Sequence, residues 1–156
     1  KETGSGISGE TARRCWGAGV SAIDIGGWGG TSWPAVEACR AHTLTDTGAG
    51  SLVSLGALFE EWGIPTVTSL CEVASTGGPV IATGGIRSGL DMAKSIALGA
   101  SMTSVAKPLL EPAITSSLKV SELINKWRKE LRIAMFASGV KNIKDLKKIK
   151  LIKIKQ

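Results

Sequence analysis

Val80-Ile81-Ala82-Thr83-Gly84-Gly85-Ile86-Arg87-Ser88-Gly89-Leu90-Asp91 carries the pattern from which the fold can be read. Val80 to Thr83 is a compact apolar run and reads as a buried strand. Gly84 and Gly85 follow at its C-terminal end, where missing side chains let backbone N–H groups converge on an anion. Ser88 can cap the helix that comes next. Leu90, Ala93 and Ala97 recur near helical spacing as far as Leu98, and Gly99 ends the helix. A helix starting there aims its partial positive charge back at the two glycines. Arg87 can add a bidentate contact to phosphate. The plainer alternative is a strand–turn–helix with a surface arginine.

The same arrangement recurs one unit later. Met102 to Ala106 reads as a second short strand, with Ala106 and Lys107 at its end and Pro108 opening a helical region. In a (β/α)₈ barrel the loops after the last two strands often share one phosphate site, so backbone amides at Ala106 and Lys107 would complete a cradle begun at Gly84. A second glycine loop, Gly26-Gly27-Trp28-Gly29-Gly30-Thr31, follows a buried strand over Val20 to Ile25. The Thr31 hydroxyl can donate to phosphate, and glycines such as Gly26 can admit a flat ring or a diphosphate. Trp28 is either a stacking group or an exposed loop aromatic. Asp24 is either a structural acceptor or a reactive group. Lys1 precedes another glycine-rich run and can hold negative charge on a reduced ring; position alone favours a solvated lysine. His42, the only histidine, lies in a polar loop, and no Ser/His/Asp or Cys/His arrangement is evident.

Working outward, Ser8 to Ala18 reads as a helix capped by Ser8, and Pro34 to Arg40 as a short one. His42 to Gly50 is a polar connection expected to be mobile. Leu52 to Trp62 has helical spacing that puts Leu55, Leu58, Phe59 and Trp62 on one side. Pro65 to about Ser75 reads as a helix, with a strand over Thr66 to Leu70 as the alternative. Ser121 to Ala137 is a long amphipathic helix, Asn142 to Lys148 a short one, and Lys150 to Gln156 a frayed end or edge strand. Strands alternating with helices imply a parallel sheet joined by crossovers. Three strands alone would leave long uncovered edges, so the chain reads as part of a larger parallel architecture.

Composition bounds the rest. The chain has 156 residues, 43% of them hydrophobic, which fits one packed domain. Most of its 20 glycines fall before position 100, in short runs that suggest functional loops. Cys15, Cys39 and Cys71 are odd in number and widely spaced; they read as reduced, partly buried thiols, not as a metal site or disulfide framework. No signal peptide and no apolar run of about 20 residues is visible, so a cytoplasmic protein without a membrane partner is expected. The net charge of +6 is uneven. Residues 119–156 hold 12 Lys/Arg against 3 Asp/Glu, whereas residues 1–118 hold 7 against 10. The basic character belongs to the C-terminal segment. With no aromatic platform beside it, it reads as a solvated tail and not a nucleic-acid surface.

Several segments together resemble type 2 isopentenyl-diphosphate isomerase, an FMN-dependent family. They are Lys1 to Ser8; Gly19-Val20-Ser21-Ala22-Ile23-Asp24 running into Gly29-Gly30-Thr31-Ser32-Trp33; Trp62-Gly63-Ile64-Pro65-Thr66; Ala82 to Asp91; and Met135 to Asn142. The block from Gly84 to Ala100 is also similar to inosine-monophosphate dehydrogenases and flavin-dependent 2-hydroxy-acid oxidases, so it marks a phosphate-binding barrel more than one reaction. The resemblance implies an α/β fold, the C-terminal half of a (β/α)₈ TIM barrel. It divides the chain into a partial FMN-dependent barrel domain over 1–140 and a basic tail over 141–156. It implies that Lys1 faces the flavin ring, that Thr31 binds phosphate, that Gly84, Gly85, Ile86 and Arg87 form the phosphate loop, and that Ala106 and Lys107 close the cradle. Gly26 stands where many members have serine, and Lys107 replaces a usually apolar residue. The implied reaction converts isopentenyl diphosphate to dimethylallyl diphosphate, with reduced FMN mediating proton transfer and Mg²⁺ and NADPH assisting. The family's metal and substrate-diphosphate ligands lie mainly outside the matched part, so no metal ligand and no catalytic residue is assigned within this chain. A chain of this extent is expected to be inactive alone and to self-associate. The alternatives are a non-catalytic phosphate- or FMN-binding half-barrel, or another FMN- or phosphate-binding barrel oxidoreductase.

Overall fold

A computed structural model describes residues 1–43 and 49–152. Its centre is a parallel sheet of three short strands in the order β1 (Ile23–Asp24), β2 (Val80–Ala82), β3 (Met102–Thr103). Ile23 pairs with Val80 and Asp24 with Ile81; on the other side Ile81 pairs with Met102 and Ala82 with Thr103. The ladder continues past β1, since the N–H groups of Ile25 and Gly27 donate to Ile81 and Thr83 carbonyls at 3.1 and 3.0 Å. The chain start runs beside β1, with the Glu2 N–H on the Asp24 carbonyl at 3.0 Å.

Eight helices surround this sheet among the described residues: α1 (Gly9–Gly17), α2 (Trp33–Ala41), α3 (Ala49–Leu58), α4 (Thr66–Ala74), α5 (Gly89–Ala97), α6 (Lys107–Thr115), α7 (Ser117–Ala137) and α8 (Ile143–Leu146). Serine hydroxyls set several of the starts. Ser8 accepts from the Thr11 N–H, Ser88 from Asp91 and Ser116 from Lys119. Two clusters hold the layers together. Ala12, Ile23, Ile25, Leu70, Val73, Val80, Ala82 and Ala100 bury the sheet against α1 and α4. Ala93, Ile96 and Leu146 join α5 to α8, with Leu131, Ala134 and Met135 of α7 packed around them. The architecture is part of a (β/α)₈ barrel, with helices on one face of a parallel sheet whose strand ends all open on one side.

Several expected boundaries shift. The strand expected over Val20 to Ile25 begins only at Ile23, because Val20 is 42% exposed and donates back to the Cys15 carbonyl to close α1. The strand expected over Met102 to Ala106 stops at Thr103, because Ala106 turns to start α6. Lys107 is therefore a first-turn helical residue, not a strand end. The long helix begins at Ser117, four residues before Ser121, because Ser116 supplies the cap. Thr66–Ala74 is helical, which removes the strand alternative there. The apolar side expected of the Leu52–Trp62 helix does not bury. α3 ends at Leu58, and Leu55, Leu58, Phe59 and Trp62 remain exposed. Gly56 explains this: a Cβ there would meet Ala38 Cβ and the Pro34 carbonyl at 2.6 Å, so α3 turns its smallest residue toward α2 and its large ones outward. Cys39 and Cys71 are exposed and only Cys15 is half-buried; all three are free thiols. Residues 44–48 of the polar connection and 153–156 of the terminal segment lie outside the described residues. Lys150 to Ile152 form neither strand nor helix.

Candidate functional site

A cleft of about 620 Å³ opens at the C-terminal ends of the three strands. All nine residues singled out from the sequence line it: Lys1, Gly26, Thr31, Gly84, Gly85, Ile86, Arg87, Ala106 and Lys107. Four separate chain segments bring them there: the chain start and the loops that follow β1, β2 and β3.

Two glycine loops form the floor, and they touch backbone to backbone. A Cβ at Gly84 would run into the Gly27 carbonyl, one at Gly85 into the Gly29 carbonyl, and one at Gly30 would come within 3.0 Å of the Gly85 nitrogen. Gly84 and Gly85 also hold φ of +99° and +77°, a left-handed conformation that other residues rarely adopt. Thr66 pins the loops together. Its hydroxyl donates to the Gly84 carbonyl at 2.7 Å, and its N–H donates to the Trp28 carbonyl at 3.0 Å. The glycines therefore serve loop–loop contact as well as ligand approach. Because the carbonyls turn toward the neighbouring loop, the N–H groups of Gly84, Gly85 and Ile86 find no acceptor among the described residues.

The start of α5 contributes less than its sequence suggests. Asp91 accepts from the Arg87 N–H at 3.1 Å and from the Ser88 hydroxyl at 2.8 Å, and Glu130 of α7 accepts from the Gly89 N–H at 2.7 Å. The helix N-terminus is spent on the protein's own carboxylates. The Arg87 guanidinium is exposed and free of ion pairs among the described residues, while its carbonyl takes the Trp127 indole N–H at 3.1 Å. The Gly84–Ile86 amides and the Arg87 guanidinium are the donors left without a protein partner here among the described residues.

Asp24 joins the ends of β1 and β2 to Lys1. It accepts from the Lys1 ammonium at 2.7 Å and from the Thr83 hydroxyl, and the Gly26 N–H lies 3.2 Å from the same carboxylate. Asp24 is thus a structural acceptor. Glu2 staples the next turn, accepting from the N–H groups of Gly4, Ser5 and Gly6 at 2.7 to 2.8 Å. Burial pushes the Glu2 carboxyl up, but these N–H groups, with that of Thr3, together outweigh it and hold it below the usual carboxylate range. Gly26, at φ +44°, leaves no room for a side chain, because a Cβ there would strike the Glu2 carbonyl.

Sequence reasoning passed over the side chains that fix this geometry: Glu2, Thr66, Thr83 and Glu130. An acidic residue two positions before a Gly-Ser-Gly run was a usable signal for Glu2. Nothing local marked Thr66, whose partners lie 18 and 38 residues away. Trp28 does not line the cleft; its backbone bridges to Ile64 and Thr66. His42 is exposed at the end of α2, away from the cleft. No group of three or more His, Cys, Asp or Glu side chains that could hold a metal is assembled among the described residues, and no helix among them is long and apolar enough to cross a membrane.

The profile of the FMN-dependent dehydrogenase family matches residues 7–153. The chain belongs to that family. It is 54% identical over 151 residues to the isopentenyl-diphosphate delta-isomerase of Methanoregula boonei, matching 97% of this chain and 42% of that protein. To the enzyme of the same name from Halobacterium salinarum it is 47% identical, over 97% of this chain and 41% of the relative. The chain thus spans about two-fifths of the length of these curated relatives. In structure it superposes on a lactate oxidase of Pediococcus acidilactici with a TM-score of 0.69 and 23% identity, covering 97% of this chain and 36% of that one. That likeness speaks to the fold alone.

Proposed function

We propose that this chain forms the flavin-phosphate side of an FMN-dependent isopentenyl-diphosphate isomerase, with FMN as the resident cofactor. The observation that carries the reading is the convergence of three acceptor-free amides, Arg87, Thr31 and the start of α6 in one cleft with Lys1, within a chain about half identical to proteins of that name.

FMN suits the residues present. Its phosphate is a dianion, and the Gly84–Ile86 amides, the Arg87 guanidinium, the Thr31 hydroxyl and the α6 start at Ala106 and Lys107 offer donors of the right kind. The cleft volume lies within the range of about 300 to 1,000 Å³ usual for small-ligand sites. Lys1, held by Asp24, would face the ring, and Gly26 would let it approach. When bound, reduced FMN would supply the group that gives and takes a proton during the allylic rearrangement. The chain's own residues bind the phosphate, set the ring's position and place one cation beside it. Residues 1–140 carry this role; in the basic segment that follows, Leu146 packs against Ala93 and Ile96 of α5. The proposal includes Mg²⁺ and NADPH as reactants supplied from solution, a cytoplasmic setting, and self-association through the exposed apolar faces of α3 and α6.

The natural protein carrying these residues, supplied with FMN, NADPH and Mg²⁺, should convert isopentenyl diphosphate to dimethylallyl diphosphate. Tight FMN binding without that product would favour another flavin oxidoreductase of the same barrel group. Failure to bind FMN would remove the proposal altogether.

A further inference from the structure

We propose that Asp24 is a positioning residue that holds the Lys1 ammonium at the edge of the cleft. This rests on the proposed FMN site only for its functional meaning; the tether itself stands on geometry. The Asp24 side chain is 11% exposed, whereas that of Lys1 is 59% exposed. A long, mostly solvated lysine would ordinarily sample many rotamers. Here its ammonium lies 2.7 Å from a carboxylate that is itself fixed on its other oxygen by the Thr83 hydroxyl and the Gly26 N–H. Thr83 follows β2 directly and Gly26 follows β1, so the carboxylate is braced by both strand ends. The Glu2 staple fixes the backbone on the far side of Lys1, through the Glu2 N–H on the Asp24 carbonyl at 3.0 Å. Asp24 therefore spends one oxygen on the scaffold and presents the other to the cation. No other described carboxylate pairs with Lys1. The arrangement converts a flexible side chain into a cation at a fixed place, which is what an anionic ring or phosphate edge entering the cleft would require.

The test is chemical labelling of lysines by reductive methylation, read residue by residue by mass spectrometry in the natural protein without added flavin. Asp24→Asn keeps an acceptor for Thr83 and Gly26 but removes the charge. It should raise Lys1 ε-amine labelling roughly three- to fivefold, the scale of a partly exposed ion pair, and leave the unpaired, exposed Lys94 unchanged. Thr83→Val, which removes one brace from the carboxylate, should raise Lys1 labelling by less than Asp24→Asn does. Equal Lys1 labelling in Asp24→Asn and the unaltered protein overturns the tether. Should Asp24→Asn not fold, the unaltered protein decides: Lys1 reacting as fast as Lys94 overturns it, and slower reaction supports it. FMN titrations then read the functional part. Asp24→Asn and Lys1→Gln should each weaken FMN binding, and the double variant should be no weaker than Lys1→Gln alone; additive losses overturn the positioning role. Absence of FMN binding in the unaltered protein counts against the proposed function, while the labelling result still judges Asp24.

Discussion

At the scale of single residues, two kinds of side chain act in the cleft, and they should fail differently. The Arg87 side chain is exposed, and in the proposed site it bears on ligand, not on fold. Arg87→Ala should leave the thermal midpoint nearly unchanged while weakening phosphate-ligand binding about 10- to 100-fold, the worth of a charge-assisted contact. Gly84 bears on both. Gly84→Ala must place a Cβ into the Gly27 carbonyl at a φ of +99°, and should destabilise by at least about 2 kcal/mol, measured by urea unfolding. Glu2 adds a pH dependence. Its folded pKa is lowered from an ordinary value of 4.5, so its contribution is present above that value and is lost as pH falls through the lowered one. Urea midpoints taken from pH 7 down to about pH 3 should fall less steeply in Glu2→Gln than in the unaltered protein; parallel curves would deny the staple. Gly84 to Arg87, the Gly26–Thr31 loop and the Ala106–Lys107 turn were legible because glycine pairs, a following arginine and strand ends are local patterns, whereas Lys1 was singled out through the family resemblance, since position alone favoured a solvated lysine. The sequence hid Thr66, Thr83 and Glu130 because each acts through a single hydroxyl or carboxylate on a partner at least 18 residues away.

At the scale of elements, α5 shows how a helix start can be read correctly and still be misjudged in role. The Ser88 cap and the following turn form as expected, yet Asp91 and Glu130 occupy the N–H groups that an anion would otherwise take. Ser88→Ala should lower stability by about 1 kcal/mol. Glu130→Gln weakens the negative competitor, and should leave phosphate binding equal or slightly stronger; a marked loss of binding would show that α7 supports the cradle in a way this geometry does not contain. Strand ends were the least legible boundaries. β1 and β3 are two residues long, too short for hydrophobic alternation to fix their limits, and the limits are set by a turn after α1 and by the start of α6. In α3 the helical spacing holds only to Leu58, and the large apolar residues lie outward because Gly56 packs against Ala38 and Pro34 of α2.

At the scale of the whole molecule, a three-stranded parallel sheet with β3 at its edge and Met102 61% exposed has the form of part of a barrel. The chain matches about two-fifths of its curated relatives' length, and its uncovered apolar surface is large: Leu58, Trp62, Ile114 and Phe136 are each more than two-thirds exposed. Alone at micromolar concentration it should sediment as an assembly and bind a hydrophobic dye; a well-folded monomer that ignores the dye would contradict this reading of those faces. The central claim, that these strand ends bind the phosphate of FMN, is tested most directly by titrating FMN into the natural protein carrying this chain, unaltered and with Arg87→Ala. Saturable binding that weakens about 10- to 100-fold in the variant is the predicted result; no binding, or the same affinity in both, would contradict it.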